Sequence, residues 1–234
     1  MAHVILIHGR NANEESWGEV PERLRHLGHQ VDPVRLPHHD TPASLDEVFG
    51  GKAEDPFAPV LMESYIRKIE SRLPKDGTKA TLIGHSMGGA VMSHAANQNV
   101  SGVERLIYVA AMLPDHLETA VSLLARAVTA PGYDSTAARN EFEAAGGDAI
   151  GSLVREPSPP QLFPFGRKAG FCDIPKFYVH TATDPLLPHA LQMQMTGSYK
   201  MSGMHTLSGG HLPQFLDLEN LMTALQSFIT VDID

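Results

Sequence analysis

The segment Gly84-His85-Ser86-Met87-Gly88 sets a serine between glycines two residues to either side. An apolar run, Ala80-Thr81-Leu82-Ile83, precedes it, and a small-residue stretch, Gly89 to Ala96, follows. A serine hydroxyl is a weak nucleophile until a tight turn exposes it, a base removes its proton and donors receive the charge on the attacked oxygen. A strand followed by a sharp turn and a helix is the setting in which a G-x-S-x-G sequence does this, and the nearby helix N-terminus favours the developing negative charge. Ser86 is therefore the candidate nucleophile for attack on a carbonyl carbon.

The partners must come from elsewhere in the chain. His211 lies in Ser208-Gly209-Gly210-His211-Leu212-Pro213, a flexible loop between the last predicted strand and the final helix, and is the candidate base. Asp184 follows the run Lys176-Phe177-Tyr178-Val179-His180 by a few residues and precedes the histidine, a position suited to holding one imidazole tautomer. Asp115, in Leu113-Pro114-Asp115, is the alternative acid because it stands just after the preceding strand. The turn His8-Gly9-Arg10-Asn11 offers the Arg10 backbone N–H, and the elbow itself offers that of Met87, as the two donors of an oxyanion hole.

These residues need a scaffold of strands whose ends converge. Val4 to Ile7 reads as a strand buried on both faces; further strands are predicted at His29 to Arg35, Ala80 to Ile83, Arg105 to Ala110, Lys176 to His180 and about Tyr199 to Thr206. Helices are predicted at Trp17 to Leu27, Pro59 to Leu73, Gly88 to Asn97 and Leu218 to Ile229, the second with Leu61, Met62, Tyr65, Ile66, Ile69 and Leu73 along one stripe. Alternation of strand and helix predicts an α/β fold with a doubly wound, mostly parallel sheet. Between residues 113 and 173 the rhythm stops, and Leu117, Val121, Leu124 and Val128 form an amphipathic piece ahead of Gly- and Pro-rich stretches. The expectation is a core of 1–112 and 174–234 with an inserted lid at 113–173, and Phe163, Phe165, Leu124 and Met112 as candidates for an apolar pocket beneath it.

Composition narrows the partners. With 18 Lys and Arg against 27 Asp and Glu, a formal charge of −9 and no basic run, the chain is not expected to bind nucleic acid. Its 13 histidines show no zinc-binding spacing; His38-His39-Asp40 is the one cluster, and a solvated loop is expected there, with no metal and no organic cofactor. A single cysteine, a leading Met1-Ala2-His3-Val4 without a basic stretch and the lack of a long apolar run lead to the expectation of a soluble, cytoplasmic protein with no membrane partner.

Taken together, Ile7-His8-Gly9, Trp17, Gly84-His85-Ser86-Met87-Gly88-Gly89, Thr183-Asp184 with Pro188 and Ala190-Leu191-Gln192, and Ser208-Gly209-Gly210-His211 resemble the α/β-hydrolases. Within them the chain resembles the small branch holding plant methyl esterases and hydroxynitrile lyases. The order serine, acid, histidine is that of the superfamily. The resemblance implies a six-stranded core without two further leading strands, a lid before the acid-bearing strand, and often a homodimer. Hydroxynitrile lyases of the branch carry a Thr or Asn after the first-strand histidine, or a Lys shortly after the catalytic one. This chain has Gly9 and Leu212-Pro213-Gln214 there.

The expected activity is hydrolysis of a small carboxylic ester through an acyl-enzyme on Ser86, His211 and Asp184. The rivals are a lyase acting on a C–C bond and a slow ligand-binding receptor of the same fold, which turnover would separate.

Overall fold

The structure, a computed structural model, describes residues 1–232. The strands are β1 (His3–Ile7), β2 (Gln30–Val34), β3 (Glu54–Asp55), β4 (Ala80–His85), β5 (Val103–Val109), β6 (Glu156–Pro157), β7 (Lys176–Thr181) and β8 (Gly203–Leu207). The helices are α1 (Val20–His26), α2 (Leu45–Phe49), α3 (Met62–Glu70), α4 (Gly88–Gln98), α5 (Ala120–Thr129), α6 (Ser135–Ala145), α7 (Gly147–Gly151), α8 (Ala169–Asp173), α9 (His189–Gly197), α10 (Pro213–Leu216) and α11 (Leu218–Thr230).

Six strands form one sheet in the order β2-β1-β4-β5-β7-β8, every neighbouring pair parallel. The central strands are apolar without alternation because both of their faces are covered. One face packs on a cluster that includes Tyr65, Val91, Met92, Tyr108 and Tyr178; the other packs on Trp17, Leu24, Leu221, Leu225 and Phe228. The fold is the predicted doubly wound α/β architecture.

Element ends moved where local chemistry overrides apolar periodicity. Trp17 does not open a helix: it ends a 3-10 turn, Glu14–Trp17, capped by the Asn13 side chain, after which Gly18 takes a positive φ of 53° and Pro21 sits in the first turn of α1. The second helix is shorter than the apolar stripe, and the last strand begins later, at Gly203.

Residues 113–173 contribute four helices and the short strand β6, which pairs in parallel with β3 outside the main sheet. Helix α5 begins with a Thr119/Ser122 capping box, and α6 is capped by Asp134, whose side chain accepts the N–H groups of Thr136 and Ala137. Antiparallel bridges Ala12 to Leu153 and Pro42 to Val154 fasten the segment to the loops that follow β1 and β2. No helix of the described residues is long and apolar enough to cross a membrane.

Candidate active site

Strand β4 runs into α4 through the serine elbow. Ser86 has φ of 52°, in the left-handed region that a non-glycine residue avoids, and neighbouring backbone holds it there. Its N–H donates to Val109 O at 3.3 Å, and its carbonyl accepts from Met112 N at 2.9 Å and Gly89 N at 3.1 Å. The flanking glycines are required by close approach. A Cβ on Gly84 would meet the Gly88 carbonyl at 2.7 Å, and one on Gly88 would collide with the backbone oxygens of Ile7 and His8.

The His211 loop, between β8 and α10, brings the imidazole back over the elbow. Nε2 lies 3.0 Å from Ser86 Oγ, and Nδ1 lies 2.8 Å from Asp184 Oδ2. Ser86, His211 and Asp184 are thus brought together, with the histidine and aspartate both buried. Asp115 is elsewhere: its carboxylate pairs with Arg167 at 2.6 Å and also accepts the His116 N–H.

Asp184 has a complete set of donors. Oδ1 accepts from Leu186 N at 2.9 Å and Leu187 N at 2.7 Å; Oδ2 accepts from Thr181 Oγ1 at 2.9 Å, from Gln192 Nε2 at 3.3 Å and from the histidine. Burial alone would lower the His211 imidazole, but the Asp184 carboxylate outweighs it and holds the imidazole above its ordinary value.

Other histidines near the site are structural. His85, the residue before the serine, points its Nε2 at His211 O, 2.8 Å away, and packs its ring on Trp17 and His211. Burial and the neighbouring His211 push its pKa down to about 3, so it stays neutral and donates. His8 bridges β1 and β2: its Nε2 accepts the Leu36 N–H at 3.1 Å and its Nδ1 faces Gly9 O at 2.9 Å. The expectation of a solvated loop at His38-His39-Asp40 is corrected for His39, which is buried with its Nε2 3.1 Å from the equally buried Glu156.

A cavity of about 170 Å³ opens on Ser86 and His211. Gly9 and Arg10 border it on the sheet side. Leu124, Tyr133, Phe142 and Leu153 of the 113–173 segment wall it with Val48 and Phe49 of α2, and its lining holds no Lys, Asp or Glu. Arg10 is held by Glu54, which also accepts from Ser158 Oγ at 2.9 Å. Of the four expected pocket residues, Met112 and Leu124 line the cavity. Phe163 and Phe165 instead pack edge-on against His94 of α4, Phe165 buried and Phe163 partly exposed. Composition offered no signal for Phe49 or Phe142, which meet edge-on at 5.7 Å between ring centroids.

Known proteins resemble this chain to different depths. The chain is 26% identical to a pyrethroid hydrolase of Sphingobium wenxiniae, over 96% of this chain and 86% of that one. It is 34% identical to methylesterase 7 of Arabidopsis thaliana, a match that spans 47% of this chain and 40% of the relative. The crystal structure of a pyrethroid hydrolase from Sphingobium faniae superposes with a TM-score of 0.78 at 23% identity, covering 97% of this chain and 96% of that one. Polyneuridine aldehyde esterase superposes with a TM-score of 0.72 at 15% identity, covering 98% and 99%. The model of the alpha/beta hydrolase family matches residues 4–219, nearly the whole sheet and every residue of the elbow, and the chain belongs to that family.

Proposed function

We propose that the chain is a serine hydrolase that cleaves small, uncharged carboxylic esters through an acyl-enzyme on Ser86. The observation that carries this reading is the continuous line from Ser86 Oγ through His211 Nε2 and Nδ1 to Asp184 Oδ2, with steps of 3.0 and 2.8 Å. His211 takes the serine proton as the alkoxide attacks the ester carbonyl, then returns it to the departing alcohol; water repeats the sequence on the acyl-enzyme. Asp184 fixes the tautomer that leaves Nε2 free to accept, and stabilises the imidazolium.

The N–H groups of Arg10 and Met87 are proposed to receive the oxyanion. In support, neither donates to another group among the described residues, and Gly9 and Arg10 border the cavity at the serine. No metal or organic cofactor enters this chemistry. Segment 113–173 acts as the lid, since it supplies much of the cavity wall facing the serine. The lining is largely aromatic and apolar, the charge of Arg10 is paired with Glu54, and the cavity suits a neutral apolar ester. The names of the relatives, pyrethroid hydrolase and methylesterase, agree with ester cleavage.

The test is turnover of short-chain p-nitrophenyl esters. Wild type should release many products per chain after an initial burst, and Ser86→Ala should release none above background. A single stoichiometric release without turnover would favour a receptor.

A further inference from the structure

Helix α6 touches both loops that complete the candidate triad. At its start the Asp134 N–H donates to Pro185 O at 2.9 Å, one residue beyond Asp184. Two turns further on, Glu141 Oε2 accepts the backbone N–H of His211 at 2.8 Å. Between and beside these contacts, Ser135 and Phe142 of the same helix line the cavity. The loop is fitted to this carboxylate: a Cβ on Gly210 would collide with Glu141 Oε1. One rigid element, about 10 Å long between its two contacts at 1.5 Å per residue, therefore spans the acid's loop and the base's loop while forming the substrate wall.

We infer that Glu141 is a positioning residue for the reaction, clamping the His211 backbone to the helix that walls the pocket so that the base and the wall are assembled together. The inference rests on reading His211 as the base. Its backbone hydrogen bond is charge-assisted and partly shielded, hence worth more than a neutral surface contact. Glu141 also sets a second negative charge near the imidazole. The charged and titratable groups around His211 are Asp184 from the β7–α9 loop, Glu141 from α6 and His85 from β4; the first two favour the imidazolium, and His85 opposes it only while charged, a form its burial suppresses. Burial raises the Glu141 carboxyl above its ordinary value, against the pull of the His211 amide and ring.

Two variants separate the clamp from the charge. Glu141→Gln keeps an oxygen for the His211 N–H and removes the charge; Glu141→Ala removes both. Each is measured for kcat and KM on a p-nitrophenyl ester, for the rate of labelling by a fluorophosphonate across pH, and for the His211 titration by NMR, with Ser86→Ala as the blank. The expected result is that Ala lowers kcat and the labelling rate about tenfold or more with KM little changed, while Gln stays within about threefold of wild type. In both, the His211 midpoint should fall, because each variant removes a carboxylate charge that favours the imidazolium. In a Glu141→Ala background, Gly210→Ala should cost less than it does in wild type, because its obstacle is gone.

Wild-type kcat, labelling rate and midpoint in a folded Glu141→Ala protein would overturn the inference and leave the ester-hydrolase reading standing. So would equal losses in Gln and Ala without a shift of the midpoint. No turnover and no labelling in wild type would overturn both.

Discussion

Asp184→Asn tests how the acid acts, because the donors around Asp184 dictate which way an amide must lie. Two backbone N–H groups, of Leu186 and Leu187, point at Oδ1 from 2.9 and 2.7 Å and cannot turn away. An asparagine must therefore place its oxygen there and its NH2 where Oδ2 stood, facing His211 Nδ1. The imidazole then has to accept at Nδ1 and carry its proton on Nε2, the nitrogen that lies 3.0 Å from Ser86 Oγ and must be free to take the serine proton. The amide also meets a second donor, Gln192 Nε2, so the change adds a local repulsion. A wrong tautomer at this kind of site costs about 10⁴ in kcat, equivalent to about 5.4 kcal/mol of barrier. The assay is ester turnover at pH 7.5 with thermal melting as the fold control. A folded Asp184→Asn enzyme within tenfold of wild type would refute the reasoning, and a large loss in Asp115→Asn instead would transfer the acid's role.

The raised His211 pKa puts the acidic limb of kcat/KM above the ordinary imidazole value of about 6.5: the base must be neutral, so the rate falls as pH drops through that midpoint, and a rate flat from pH 5 to 8 would contradict it. Gly88→Ala should destabilise the fold by about 3 kcal/mol in urea melts, since the colliding atoms are backbone carbonyls of Ile7 and His8 that cannot easily yield. Glu156→Ala should cost about 3–5 kcal/mol in the same melts, because it strips a fully buried pair and leaves His39 and the Asn11 N–H without their acceptor. Phe142→Ala should raise KM for aromatic esters about tenfold or more while leaving the rate of acetate ester cleavage at saturation little changed.

Much of this site could be read in the chain because its chemistry is local. The elbow at residues 84–88 declares itself through glycines that a turn against neighbouring backbone demands, and the buried strands read as unbroken apolar runs. Asp184 and Asp115 could not be separated that way, since both follow strands; the difference lies in which loop the sheet order sets beside His211. Trp17 misled because a positive-φ glycine and a proline reset the helix start. Phe163 and Phe165 misled because an aromatic residue in an irregular segment has no periodicity to say which side it faces. Glu141, Glu156 and His39 act through contacts made across 70 to 145 residues, and nothing in their local sequence marks them.

The central claim is that Ser86 forms the covalent bond. Wild type and Ser86→Ala should be treated with a fluorophosphonate, and the adduct located by peptide mass spectrometry. One phosphonyl group on Ser86, absent from the mutant and slowed in Asp184→Asn, is the predicted result. An adduct on another residue, or an equally labelled Ser86→Ala protein, would contradict the account.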